Sequence, residues 1–452
     1  MRYFTWLSVL VFGLFTTPLT LLAQRDVEEK RLRAKDFFVN AKYEEALSVL
    51  TNERELRRND PEGRFLIGLS YYHLNRLEEA ERYLKDLLTE DDPFPEILLY
   101  LGRIYHARNQ FAEAGDYYKS YLKNIDRRHR NRAMVQDAVR RCANGLRLQF
   151  RQPLAYAENL GNLVNTTEDE FGPVPSPTRP DRLYFTSSRP GSLGGPRDPA
   201  GRSDEQYGRH FTDIYYTTIT QGIWKDVRPM HYFLNSPRHE VILGFAAHGR
   251  SMYYFQGDAL DRGQVLVDSF RQGGQVLSTN PFLGPIDPSA GIAPPFFQRG
   301  DIVIFASKRP GGYGGFDLYR TERIQGRWTA PRNLGPQINT PYDENYPFLA
   351  LDGRTLYFSS NDKQKSIGGF DIFKSVYLAE QERWATPYNL CLPVNSAGDD
   401  THFVLAKDGY TAFFTSSRKD GFGQRDLYAA YFFEFISEMT PSYQTNNSRG
   451  QR

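Results

Sequence analysis

The sequence predicts a two-domain α + all-β chain, an N-terminal α-solenoid followed by a five-bladed β-propeller closed by its N-terminal strand. Three observations carry this reading. Small and aromatic residues repeat every 34 positions between Glu28 and Lys123. From Leu154 onward, a unit of strand, small-polar-basic turn, glycines and Asp-led strand recurs, with the length of a four-strand blade of about 50 residues. The last copy ends near Phe433 after only three strands, whereas Leu154–Val174 has the character of an outer strand and precedes any complete copy.

The chain opens MRYFTWLSVLVFGLFTTPLTLLAQ. A basic start at Arg2, an apolar run from Trp6 to Phe15 and a small residue at Ala23 predict a signal peptide over 1–23. Thr16, Thr17, Pro18 and Thr20 make the stretch too polar for a retained membrane anchor. No cysteine lies near the cut, so no lipid anchor is expected. The two cysteines, Cys142 and Cys391, fall in different predicted domains and read as unpaired packing residues. A net charge of +2 provides no global field for nucleic acid.

In the first third, Ala46, Ala80 and Ala114 are 34 apart, as are Phe37, Tyr71 and Tyr105, and Leu50, Leu84 and Tyr118. Gly68 and Gly102 keep the spacing, with Ala34 in the first copy. Small residues let paired helices approach and aromatics fill the space between them, as stacked helix-turn-helix units require. NAKYEEALSVL, LNRLEEAERYL and RNQFAEAGDYY resemble the tetratricopeptide repeat, with three copies over 24–125 and a degenerate first copy carrying Lys30 and Arg33. The resemblance implies a concave groove for a protein or peptide. The 34-residue register points Lys35, Phe38, Tyr72, His73, Arg103 and His106 into it, with Tyr72 and His73 as an aromatic anchor beside a polar donor.

Residues 126–153 read as a basic capping helix. Val135, Val139, Cys142 and Leu146 share one face, and Arg127, Arg128, Arg130, Arg132, Arg140 and Arg141 lie on the others, as a solvated face or a patch for an acidic partner.

Residues 154–434 hold the blades. GDIVIFASKRPGGYGGFDLYR, GRTLYFSSNDKQKSIGGFDIFK and GYTAFFTSSRKDGFGQRDLYA align, and DRLYFTSSRPGSLGG reaches TDIYY after the long insert Gly191–Phe211. A phosphate loop leads into a helix; every copy here leads into a strand. The glycines therefore read as hairpin-turn residues, and Asp213, Asp317, Asp371 and Asp426 as acids tying the turn to backbone amides. Asn165, Asn235, Asp287, Asn339 and Asn395 mark five junctions, and Glu170, Glu240, Glu344 and Asp400 each precede an inner strand. The blade after Glu240 lacks the Ser-Arg-Pro-Gly turn. Arg189, Arg309 and Arg418 are placed on one rim, as partner contacts or turn supports. Residues 435–452 read as a polar, disordered tail.

These blades resemble the WD-like repeat of TolB and prolyl-oligopeptidase propellers. With the helical repeats and leader, the arrangement resembles the PorE-like periplasmic proteins of Bacteroidota, associated with type IX secretion, but without the OmpA-like domain that usually follows. The resemblance implies a periplasmic location, a protein or peptide partner in the cell envelope, and membrane association only through partners.

No catalytic set is expected. His239-Glu240 is not followed by a zinc-site histidine, and no G-x-S-x-G turn occurs. No cofactor and no metal are expected. The recurring pairs Asp343-Glu344 and Asp399-Asp400 read as structural, with calcium at the inner rim as the functional reading. The tripeptide at Asn165 fits a glycosylation signal by chance. The function read from the sequence is a non-enzymatic scaffold. The alternative is a propeller that binds or cleaves glycans or small ligands at its channel through Asp399, Asp400 and His402.

Overall fold

The computed structural model describes residues 16–89, 94–195, 210–246, 249, 251–270, 276–286, 295–298 and 301–435. Residues 1–15 of the expected signal peptide, most of the Gly191–Phe211 insert, Asp287 and nearly all of residues 435–452 lie outside the described residues. Two compact units divide the chain, residues 1–105 with 116–132, and residues 106–115 with 133–452.

The first unit is the helical repeat region. Its helices are α1 (Thr16–Val39), α2 (Tyr43–Asn52), α3 (Arg54–Arg58), α4 (Pro61–His73), α5 (Leu77–Leu88), α6 (Glu96–Ala107) and α7 (Phe111–Asn124), the last two shared with the second unit. The 34-residue period has a backbone counterpart. Ala41, Asn75 and Asn109 all take left-handed conformations in the turn within each helix pair, at φ 58°, 60° and 59°. Asn tolerates this conformation; Ala does so at a cost. Ala34, Ala46, Ala80 and Ala114 are completely buried. A Cβ on Gly102 would stand 2.6 Å from the ring of Tyr118, so only glycine fits that crossing.

Helix α8 (Arg132–Leu148) belongs to the second unit. It buries Val135, Cys142, Asn144, Gly145 and Leu148. Leu146, expected on the buried stripe, is exposed. The reason is polar: the Asn144 amide donates to the carbonyls of Lys363 (3.2 Å) and Ser366 (3.0 Å), and Arg141 Nη1 to that of Gly369 (2.7 Å). These bonds rotate the helix so that Asn144 and Gly145 face inward, and Arg141 is not a solvated charge. Cys142 and Cys391 are both buried and form no disulfide.

The rest is a five-bladed propeller of antiparallel sheets. Strand β1 (Ala155–Asn159) comes first in sequence and belongs to the last blade. Blade one holds β2 (Glu170–Pro175), β3 (Arg182–Ser187) and β4 (Asp213–Thr220), with β5 (Ile223–Trp224) and β6 (Arg228–Pro229) both on β4. Blade two is β7 (His239–Phe245), β8 (Ser251–Ala259), β9 (Arg262–Phe270) and β10 (Val276–Pro281). Blade three holds β11 (Phe296–Gln298), β12 (Ile302–Ser307) and β13 (Asp317–Ile324), with β14 (Arg327–Trp328) and β15 (Arg332–Asn333) on β13. Blade four repeats that plan with β16 (Glu344–Leu349), β17 (Thr355–Ser360), β18 (Asp371–Leu378), β19 (Arg383–Trp384) and β20 (Tyr388–Asn389). Blade five is β21 (Asp400–Leu405), β22 (Thr411–Ser416) and β23 (Asp426–Phe432), completed by β1. The register runs from Ala155 opposite Phe432 to Asn159 opposite Tyr428, so the ring closes on its N-terminal strand. Closure covers the outer side of β23 and gives the last blade its fourth strand.

Among the described residues no helix is long and apolar enough to cross a membrane.

Candidate functional site

In the helical unit, four of the six groove positions come together. His73 stacks on Tyr43, ring centroids 4.5 Å apart, and meets Phe38 edge-on at 5.7 Å. Tyr72 packs edge-on against Tyr100 at 5.2 Å, and the Arg103 guanidinium lies 5.0 Å from the Tyr100 ring. Tyr72 is buried, which raises its hydroxyl pKa. Phe38, Tyr43, His73, Tyr100 and Arg103 are half-buried, so the rings are pre-packed yet retain accessible edges for an incoming chain. Tyr43 and Tyr100 were not nominated from sequence. Tyr100 lies three residues before Arg103 on the same helix, a spacing that brings side chains together; Tyr43 opens the partner helix and carried no such signal.

Lys35 lies outside this run, its Nζ 3.0 Å from Glu62 Oε1 in a surface ion pair. His106 is not a groove residue. It is buried within the second unit, its Nε2 3.0 Å from the carbonyl oxygen of Ile367, and desolvation pushes its pKa down to about 4. Its ring packs edge-on to Phe111.

In the propeller the recurring residues form one repeated latch. Each junction asparagine makes two bonds to the residue after a turn acid. Asn165 accepts from the Leu427 amide (2.9 Å) and donates to its carbonyl (3.0 Å); Asn235 does this to Ile214, Asn339 to Leu318 and Asn395 to Ile372. Asn165 is therefore buried and engaged, and unsuited to glycosylation in the folded chain. The turn acids act as read. Asp317 accepts from the amides of Tyr313 (2.7 Å) and Gly314 (3.3 Å), Asp371 from Ile367 (2.7 Å) and Gly368 (3.0 Å), and Asp426 from Phe422 (2.6 Å) and Gly423 (3.0 Å). Asn333, Asn389 and Asn159 donate to these three acids and join each to its junction asparagine. Blade one has Pro229 at that position. Among the described residues Asp213 there accepts from Leu193 and its Oδ1 meets no donor, and burial raises its pKa to about 6.

The glycines differ in part from the sequence reading. Gly191 and Gly311 have positive φ in their turns. Gly315, Gly369 and Gly423 do not; a Cβ on them would run into Asp343, Asp399 and the Glu168 carbonyl respectively. They are small because the next blade's junction packs on them.

Arg189 and Arg418 are not rim contacts. Arg189 Nη2 donates to the Val164 carbonyl (2.6 Å) and to Glu170 (3.2 Å), and its guanidinium lies over Phe185 and Tyr215. Arg418 does the same to Val394 (2.7 Å) and Asp400 (3.0 Å), over Phe414 and Tyr428. Arg309 occupies the same position over Phe305 and Tyr319, with its Nε on Ser307. Register alone located these arginines; it could not give their direction, and the buried acid decides it. Burial still raises the pKa of Glu170 and Asp400 above the usual carboxylate range, despite the paired arginines.

The channel candidates do not converge. Asp400 is spent on Ser396, Ser416 and Arg418, and Asp399 accepts from the Phe370 amide. His402 lies tilted against Tyr346 at 4.1 Å, its Nε2 is enclosed and meets no partner among the described residues, and desolvation holds its pKa at about 3. Among the described residues no three His, Cys, Asp or Glu side chains are grouped to hold a metal.

The tetratricopeptide repeat family matches residues 31–94 and 80–128. No curated protein matches the chain. Solved structures similar to it include the NanB sialidase of Streptococcus pneumoniae, at 9% identity over 65% of this chain and 58% of the sialidase, with a TM-score of 0.30. A levansucrase from B. megaterium is similar at 10% identity over 60% of this chain and 85% of the enzyme, TM-score 0.36. A prolyl endopeptidase is similar at 11% identity over 59% and 36%, TM-score 0.30. The chain thus spans less than two thirds of the sialidase's length, and likeness at this level carries nothing about activity.

Proposed function

We propose that the chain is a non-enzymatic scaffold of the bacterial envelope, working in the periplasm and binding a protein or peptide through the helical repeats and the propeller face. The observation that supports the helical part is the aromatic run of Phe38, Tyr43, Tyr72, His73 and Tyr100 with Arg103 beside it. Tetratricopeptide repeats generally mediate protein–protein interaction, and aromatic and arginine side chains dominate interface energetics. The finer reading, a component or accessory of a type IX secretion complex like the PorE-like proteins, rests on the combination of leader, helical repeats and Ser-Arg-Pro-Gly blade turns. Against a channel-centred activity stands the internal use of Asp400 and the low pKa of His402.

The test is crosslinking in intact cells followed by mass spectrometry, for the native chain and for His73→Ala with Arg103→Glu. A polypeptide partner recovered with the native chain and lost with the double variant is the expected result. Turnover in a hydrolysis screen of glycans and peptides would overturn the non-enzymatic reading.

A further inference from the structure

Blade four lacks one part of the latch. The serine that bonds the buried acid recurs as Ser187 on Glu170, Ser360 on Glu344 and Ser416 on Asp400. Two residues on, the backbone amide donates back to that serine in Arg189, Asp362 and Arg418. Asp362 therefore stands where blades one, three and five carry Arg189, Arg309 and Arg418. An aspartate cannot reach what the arginine reaches. Its carboxylate instead accepts from the Gln364 amide and lies 3.5 Å from Lys365 Nζ.

Every group that receives the guanidinium in the sibling blades is nevertheless present. Phe358 and Phe373 face each other at 5.9 Å and 24°, as Phe185 and Tyr215 do at 6.3 Å and 25°, and Phe414 and Tyr428 at 5.6 Å and 27°. Ile338 precedes its junction asparagine as Val164 and Val394 precede theirs, and those two carbonyls take an arginine Nη2. Glu344 is fully buried, and its bonds come from Thr340 and Ser360, with no ion pair among the described residues. Blade two, the other blade without an arginine, has Gln256 at the serine's register position opposite Glu240, and its amide donates to Glu240 at 3.1 Å. In blade four the place is a narrow recess of about 10 Å³ behind an open mouth, lined by Ile338, Glu344, Phe358, Ser360, Asp362 and Phe373, with exposed Gln337 and Lys365 at the rim.

We infer that this recess is a binding site for an alkylguanidinium group, the arginine side chain of a partner polypeptide, lying over the Phe358 and Phe373 rings with its N–H groups on Glu344 and the Ile338 carbonyl. The site fits guanidinium over ammonium because its acceptors diverge and its walls are flat: a planar fork can bond a carboxylate and a carbonyl while lying against aromatic rings, and a compact ammonium cannot do both. Lys365, exposed and tied only to Asp362, swings aside to admit the side chain. The inference goes beyond the scaffold reading and is independent of the helical aromatic run.

The experiment is a calorimetric titration of the whole chain with N-acetyl-arginine methylamide, N-acetyl-lysine methylamide and agmatine. The arginine compound is expected to bind at least tenfold more tightly than the lysine compound, and Glu344→Gln to remove that binding. Asp362→Arg, which supplies the missing side chain in cis, is expected to abolish binding and raise the melting temperature. Capped arginine binding better than agmatine identifies a partner's side chain as the source. Agmatine binding better overturns that source and leaves a small guanidinium ligand. Equal affinity for arginine and lysine compounds, or binding undiminished in Glu344→Gln, overturns the site; should Asp362→Arg fail to fold, Glu344→Gln decides alone.

Discussion

Replacing Glu344 by glutamine should stabilise the protein above neutral pH and do nothing at pH 4. Glu344 is completely buried, and desolvation, its largest influence, raises its pKa from the ordinary 4.5 to about 7; bonds from Thr340 and Ser360 only partly oppose this. The folded state thus holds a proton that the unfolded state has released. A group raised in this way contributes its full stability below pH 4.5 and loses it as pH climbs through about 7. At about 1.4 kcal/mol per pH unit, ionising Glu344 in place costs about 3 kcal/mol at pH 8. Glutamine keeps the shape and cannot ionise, so Glu344→Gln should recover up to about 3 kcal/mol at pH 8, less whatever its amide leaves unsatisfied. Urea denaturation of both proteins at pH 4, 6 and 8 measures the difference directly. Glu170→Gln is the internal contrast: it strands the buried Arg189 without its carboxylate and should destabilise by about 3–5 kcal/mol at pH 8. A Glu344→Gln chain that is no more stable than wild type at pH 8, or equally shifted at every pH, would refute the account of blade four as an acid without its cation.

Two further outcomes test the architecture. Asn165→Ala removes the bonds to both backbone groups of Leu427 and to Asn159, and should lower the unfolding free energy by about 2 kcal/mol in urea, because the buried Leu427 amide loses its acceptor while its carbonyl keeps the Leu160 amide at 3.0 Å. Ala41→Asn should raise the melting temperature of the helical unit, by an effect of about 0.5–1 kcal/mol, since Asn75 and Asn109 already occupy the same left-handed position in the later repeats.

What was legible in the sequence was whatever recurs at fixed spacing for a steric reason. The alanines and glycines at 34-residue intervals sit at helix crossings that admit nothing larger, and the turn acids recur because each hairpin presents the same bare amides. The strand that closes the ring was legible because a three-strand copy at one end matched an orphan strand at the other. Direction and partnership were not. Arg189 and Arg418 turn inward because of acids about 20 residues away in sequence but one strand away in space, a relation that only the pairing of β2 with β3 and of β21 with β22 creates. His106 and Leu146 departed from expectation for a related reason: carbonyl groups of the blade-four turn orient the helical residues that meet them, and helical periodicity contains no information about those carbonyls. The aromatic run in the groove fell between the cases, since Phe38, Tyr72, His73 and Arg103 followed the register and Tyr43 and Tyr100 did not.

Making the fifth blade from both ends of the propeller sets an order on its birth. As the chain leaves the ribosome, Ala155–Asn159 emerges before any blade, and Tyr428–Phe432 after all the others. Through that whole interval the nascent chain carries an unmated hydrogen-bonding edge, free to add to a neighbour in the same condition. Four blades can assemble as they are translated; the fifth must wait for the final strand, and every prematurely terminated chain will present that edge to its surroundings.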